Sequence, residues 1–314
     1  MCYEVPPHLD NTLESDVLHE SVSENASVLL QKARHYIEFG ETHAAVDSLQ
    51  RAVEIDADFG DAWHLLATVL QQIGDADHAR QCFKKAASLL SDRPEIWLQL
   101  GTLEFSQERY RDARAALKKY ASLGGSDSDA LLMLAKAAFR LADCDTVLFA
   151  TAEVLKADEN QYEAWELRGI CQARKGRYNA AVMSLNMALE LHPSSVYALN
   201  TVGDLCYEEE NYERALDFYR SSLAAQWDQP RILFRVATSL WMIGRWQAAI
   251  PLFEEYVRLE PGDPRGWNNL GVALREKGEV KRAIECYQHA LELDPDFEIA
   301  QRNIETAKNK QVAL

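Results

Sequence analysis

The chain has 314 residues, a formal net charge of -16 from 33 Lys plus Arg against 49 Asp plus Glu, and 47% apolar residues, with only 14 Gly and 9 Pro. The apolar share is enough for a core, and the scarcity of turn-formers fits long helices better than a strand-and-turn protein. A charge of this sign repels polyanions at long range, which argues against general binding to nucleic acid or to an anionic membrane.

Residues 1–25 contain Pro6, Pro7 and six acidic residues (Glu4, Asp10, Glu14, Asp16, Glu20, Glu24) with no Lys or Arg, so a flexible tail is expected there. They lack a basic stretch followed by an apolar one. No window of the chain reaches the roughly 18 apolar residues of a membrane span. A cytoplasmic location follows. Six cysteines, at 2, 82, 144, 171, 206 and 286, form no Cys-x-x-Cys pair and fall mostly inside apolar helical patterns, as small buried hydrophobes in a reducing compartment do.

From Ala26 the chain repeats itself every 34 residues, the mark of a stacked array. Units begin at Ala26, Gly60, Pro94, Ser128, Tyr162, Val196, Pro230 and Pro264, without insertion or deletion, and the eighth ends at Phe297. The fourth position is always large and apolar (Leu29, Trp63, Trp97, Leu131, Trp165, Leu199, Leu233, Trp267). The eighth is always small (Ala33, Ala67, Gly101, Ala135, Gly169, Gly203, Ala237, Gly271), one turn further along the same helix face. Position 20 is Ala in every unit except the fourth, which has Val147, and it opens a second helical stripe. Glycine recurs at position 15 (Gly40, Gly74, Gly176, Gly244, Gly278), where a permissive backbone suits the turn between two helices. Pro251, inside the second helix of unit seven, predicts a kink. Tyr120 and Tyr256 stand at position 27, where Ala is usual.

In the last unit Trp267, Leu270, Gly271, Ala283, Tyr287, Ala290 and Pro295 stand at set positions, and on these residues the chain resembles the tetratricopeptide repeat family over residues 26–297. The resemblance implies an all-α fold: an α-solenoid in which antiparallel helix pairs stack into a right-handed superhelix, with the first helix of each pair lining the concave side and holding ligands. Residues 298–314 read as a terminal capping helix, with Ala300, Ile304 and Ala307 on one narrow apolar stripe and a polar remainder. The chain then ends, so no catalytic domain is expected after it.

No catalytic or cofactor motif appears: no phosphate-binding Gly-rich loop, no His-Glu-x-x-His, no Gly-x-Ser-x-Gly. The eight histidines make no i, i+4 pair, and Glu208-Glu209-Glu210 lacks the alternating spacing of a calcium loop. No cofactor, no metal and no enzymatic activity are expected.

On each first helix, positions 4, 7, 8 and 11 face the core, which leaves positions 2, 5, 9 and 12 for the groove. In units six to eight these positions and the adjoining sixth supply Asn200, Asp204, Tyr207, Arg231, Arg235, Arg265, Asn268 and Asn269. Such a group suits a carboxylate or a peptide backbone, unless its charges only solubilise the array. The carboxylate clamp that some members of the family use for chaperone tails is matched only by Arg231 and Arg235, since Glu166, Ile170 and Thr201 stand where its other residues belong. Units three and four offer an apolar patch instead: Leu98, Phe105, Leu132 and Phe139. An amphipathic partner, a second copy or the chain's own N-terminal tail would cover it, unless neighbouring repeats bury it. The expected function is a non-catalytic scaffold that holds a peptide or protein surface in the groove; the alternative is self-association or service as a subunit of a larger assembly.

Overall fold

The structure is a computed structural model that describes residues 25–312, with side chains to residue 308. The tail expected over residues 1–25 therefore lies, but for Asn25, outside the described residues. Seventeen helices follow in order, with no strand among the described residues: α1 (Ala26–Glu38), α2 (Thr42–Ile55), α3 (Gly60–Gln72), α4 (Ala76–Leu89), α5 (Pro94–Ser106), α6 (Tyr110–Ser122), α7 (Ser128–Arg140), α8 (Cys144–Ala157), α9 (Tyr162–Arg174), α10 (Tyr178–Leu191), α11 (Val196–Glu208), α12 (Tyr212–Ala225), α13 (Pro230–Met242), α14 (Trp246–Leu259), α15 (Pro264–Glu276), α16 (Val280–Leu293) and α17 (Glu298–Val312). Each odd-numbered helix up to α15 packs against its successor as a hairpin, and consecutive hairpins stack.

Local chemistry sets the helix starts. Asn25, Asp127, Ser195 and Asp263 cap α1, α7, α11 and α15 by accepting a backbone N–H, and proline opens α5, α13 and α15. The turn inside each hairpin is left-handed at position 15. Five units place Gly there, but Glu108, Ala142 and Glu210 take the same conformation, with φ of 57°, 56° and 59°. The fold thus imposes a backbone that L-residues resist by about 1–2 kcal/mol.

Inside a hairpin, the small eighth residue makes room for the residue at position 24. A Cβ added to Gly101, Gly169, Gly203 or Gly271 would stand 2.6, 2.6, 2.6 or 2.5 Å from Leu117, Leu185, Tyr219 or Tyr287. Between hairpins the indole at position 4 acts as a tie. Trp63, Trp97, Trp165 and Trp267 each donate Nε1–H to the carbonyl six residues earlier, at 2.9, 3.0, 2.8 and 2.9 Å. Gln301 of α17 repeats the bond, donating to the Pro295 carbonyl at 3.0 Å, while Ala300 and Ala307 are buried against the last hairpin.

The two tyrosines at position 27 have a structural reason. Tyr256 donates to the Asp263 carboxylate at 2.6 Å, and its ring fills the space that Gly266 leaves; Tyr120 Oη accepts the Asp127 backbone N–H at 3.1 Å beside Gly125. Each reaches the N-cap of the next hairpin. α14 runs through Pro251 as one helix of 14 residues, as long as most other second helices, with the proline on its exposed side.

Candidate functional site

First helices touch across successive hairpins, α5 with α7, α7 with α9, α9 with α11 and α13 with α15, as they must if they line the inner side of a curved stack. Along that side lies a cavity of about 380 Å³ walled by α5 to α11. Its apolar floor is Phe105, Phe139, Leu167 and Ile170; its rim is Tyr110, Lys136, Arg140, Glu163, Glu166 and Tyr197.

Two of the apolar residues expected here, Phe105 and Phe139, do line the cavity. The other two do not: Leu132 is 8% exposed within the core of the middle repeats, and Leu98 packs against that core. An all-round apolar α7 is buried because neighbours cover it on both sides.

The cations of this cavity fall into two kinds. Lys136 is neutralised by Glu163 at 2.9 Å. Arg140 lies over the Tyr110 ring at 5.7 Å, and Arg174, next to the cavity, lies over the Phe139 ring at 4.5 Å. Among the described residues, no ion pair holds either of these exposed guanidiniums. Ser195 Oγ donates to Glu166, yet burial pushes that carboxyl above the ordinary glutamate range.

The C-terminal groove is arranged differently. Arg231 binds both oxygens of Asp204 (3.1 and 2.9 Å), and Arg235 lies 3.7 Å from Asp204 and 3.5 Å from Glu208 while stacking on Tyr207 at 4.3 Å. Tyr219 also donates to Asp204, at 2.7 Å; burial and that carboxylate push its phenol up, so it remains a donor. Arg265 is tied to its own cap residue Asp263 at 3.0 Å. Asn200 donates to Gln229, and its carbonyl oxygen is buried without a hydrogen-bond partner, out of a ligand's reach. Asn268 is not a groove residue: it is 5% exposed, donates to Asn269 and accepts from Asn303 of α17. Most of the expected basic and amide-bearing patch is therefore engaged within the protein, while Asn269 lines a cavity of about 260 Å³ with Thr238, Trp241, Phe253 and Val272.

Sequence reasoning missed Tyr110, Arg140, Arg174 and Tyr197. A usable signal existed. Residues 27 apart face one another across adjacent first helices, as Lys136 with Glu163, Asp204 with Arg231 and Glu208 with Arg235 show. The residues 27 beyond Arg140 and Arg174 are Leu167 and Thr201, neither of which can neutralise a guanidinium.

The rest of the surface offers little reactive chemistry. Among the described residues there is no cluster of three or more His, Cys, Asp or Glu that would hold a metal ion. Burial raises the thiols of Cys82 and Cys286 to about 11, far from a reactive thiolate. No described helix is long and apolar enough to cross a membrane.

Tetratricopeptide repeat models match residues 26–59, 60–103, 94–137, 150–195, 184–230 and 264–297. The chain belongs to the tetratricopeptide repeat family. This tetratricopeptide protein is 25% identical over 280 residues to BBSome complex member BBS4 of Bos taurus, covering 85% of this chain and 54% of BBS4. It is 20% identical over 243 residues to the protein O-mannosyl-transferase TMTC1 of Homo sapiens, covering 76% of this chain and 24% of TMTC1. It therefore spans about half or less of these relatives. Among solved structures it shares its fold with YrrB, described as a tetratricopeptide protein with an unusual peptide-binding site: TM-score 0.51, 22% identity, 60% of this chain and 97% of YrrB.

Proposed function

We propose that this chain is a non-catalytic interaction scaffold that captures a peptide segment carrying both acidic and apolar side chains in the groove of α5 to α11. One observation carries the reading: Arg140 stands at the rim of an aromatic and aliphatic cavity and Arg174 beside it over the Phe139 ring, and among the described residues neither is held by an ion pair. A guanidinium stacked on a ring keeps its donor fork free in the plane, so it accepts a carboxylate without reorganising. The floor of Phe105, Phe139 and Ile170 then receives the neighbouring apolar side chain. That BBS4 is a complex member and that YrrB has a peptide-binding site support a binding role in an assembly. TMTC1, a transferase, is matched over a minor part of its length, which favours a shared repeat module over shared chemistry. In this reading residues 26–297 form one module closed by the helix from residue 298, and it works in the cytoplasm.

Affinity capture followed by mass spectrometry tests the proposal. Partners held by the intact chain and lost from R140E/R174E, but kept by R231E/R235E, are the expected result; partners that survive R140E/R174E would overturn it.

A second reading, self-association, is favoured by the exposure of Phe149 (50%), Met183 (71%), Met187 (37%) and Leu191 (38%) on α8 and α10. Sedimentation of F149D/M183D against the unaltered chain decides it, since a monomer in both rejects self-association.

A further inference from the structure

Two cysteines meet at the joint between the fourth and fifth hairpins. Cys144 is the first residue of α8, and Cys171 lies one turn from the end of α9. The two helices pack together, and Asp145 pairs with Lys175 at 2.5 Å, which sets the start of α8 against the end of α9. Cys171 is a fully buried member of the middle apolar cluster, Cys144 packs against that cluster, and the two thiols are in hydrogen-bonding contact. Cys144 holds position 17 of its unit and Cys171 position 10 of the next. At the same two positions the other joints carry pairs such as Ala76 with Leu103, Tyr178 with Leu205 and Trp246 with Ala273, so a pair of thiols falls at this joint alone.

The two sulfurs differ in what can reach them. Cys144 is half-buried, so a small oxidant has access to it, whereas Cys171 has no exposed surface. Burial, helped by the hydrogen bond to Cys144, pushes the Cys171 thiol up, so it keeps its proton and is not itself a target. A hydroperoxide therefore oxidises Cys144 first: the O–O bond breaks, the sulfur takes one oxygen as a sulfenic acid, and a water leaves. The Cys171 sulfur, already in contact, then displaces that oxygen. The S–S bond forms as the Cys171 proton departs with the oxygen in a second water, so two thiols give two electrons to one peroxide.

We propose that Cys144 and Cys171 form a reversible disulfide when the chain meets a hydroperoxide, tying α8 of the fourth hairpin to α9 of the fifth. In a reducing compartment such a bond is transient and acts as a sensor. It joins the hairpin partner of α7 to α9, and both α7 and α9 wall the middle cavity, so oxidation stiffens the frame of that cavity without altering its lining. The inference holds whatever occupies the groove.

The test treats the full reduced chain with hydrogen peroxide, blocks remaining thiols with iodoacetamide and maps the peptides. The expected result is a mass loss of about 2 Da, four of the six thiols still free, and a Cys144–Cys171 peptide at least tenfold above any other pairing. The oxidised chain should unfold at a higher urea concentration, and dithiothreitol should reverse both changes. C144S should leave Cys171 a free thiol. C171S, or C171A if the serine variant misfolds, should stop Cys144 at the sulfenic acid, which dimedone traps. Six free thiols after treatment, a sulfenic acid that accumulates in the unaltered chain, or Cys144 joined to a different cysteine would each overturn the proposal.

Discussion

The middle and C-terminal stretches of the groove use the same pieces to opposite ends. In both, an arginine lies over an aromatic ring, Arg174 over Phe139 at 4.5 Å and Arg235 over Tyr207 at 4.3 Å. In the C-terminal stretch Asp204 and Glu208 of α11 meet Arg231 and Arg235 of α13. In the middle stretch the residues 27 beyond Arg140 and Arg174 are Leu167 and Thr201, and among the described residues no ion pair holds either guanidinium. A cation's availability to a ligand is thus set one helix away from it, and counting arginines along a face does not measure it.

The sharpest way to break this contrast is charge reversal. R140E/R174E should weaken partner binding about 100-fold, or about 2.7 kcal/mol, since hydrogen bonds to charged groups contribute about 1.5–3 kcal/mol each. R231E/R235E should leave the affinity within about twofold; calorimetry on a captured partner checks both. Next in size is the loss of the internal carboxylate. D204A strands Arg231 and the Tyr219 hydroxyl and leaves Arg235 only Glu208, and a cost of about 2 kcal/mol is expected in urea unfolding because three partners lose one acceptor. If D204A is neutral, the C-terminal arginines are as free as those in the middle and the contrast dissolves.

Smaller effects test whether the two stretches share one backbone. Ala142→Gly in the fourth unit and Glu210→Gly in the sixth should each stabilise by about 1 kcal/mol in the same unfolding assay, because each relieves a left-handed L-residue. The smallest effect concerns acid. Burial raises Asp143 and Asp263, but Thr146 and Arg114 for the first, and Arg265 and Tyr256 for the second, more than offset it and leave both below the usual 3.8. A depressed carboxylate stabilises the fold above its unfolded value, and that contribution is lost as pH falls below about 3.8 through the folded value. D143N and D263N should each flatten the acid limb of a stability-against-pH curve by a similar, modest amount.

Much of the fold was legible in the sequence because the residues that build a hairpin recur at one spacing. The small residue at Gly203 and the large one at Tyr219 are both visible in the chain, and their contact follows from helix geometry. The turns of units three, four and six were less legible, since Glu108, Ala142 and Glu210 carry no mark of the left-handed backbone that packing forces on them. The groove was legible as a face but not as a site. Phe105 and Phe139 could be placed on it, whereas Leu132 and Asn268 share its positions and are buried by neighbours. Arg231 looked free because the Asp204 that neutralises it stands 27 residues earlier, a distance that has meaning only once helices are stacked.

The indole ties have a mechanical consequence. Tryptophans fasten the joints ahead of the second, third, fifth and eighth hairpins, and Gln301 fastens the last helix. Ahead of the fourth hairpin, Tyr120 supplies a bond of its own to Asp127. The joints led by Leu199 and Leu233 have no indole and are fastened by polar side chains instead: Ser195 of the sixth hairpin donates to Glu166 of the fifth, and Gln229, ahead of the seventh, donates to Ser222 and accepts from Asn200. Every joint of the array thus carries a side-chain bond of its own, and losing one tie loosens one joint while its neighbours keep their register.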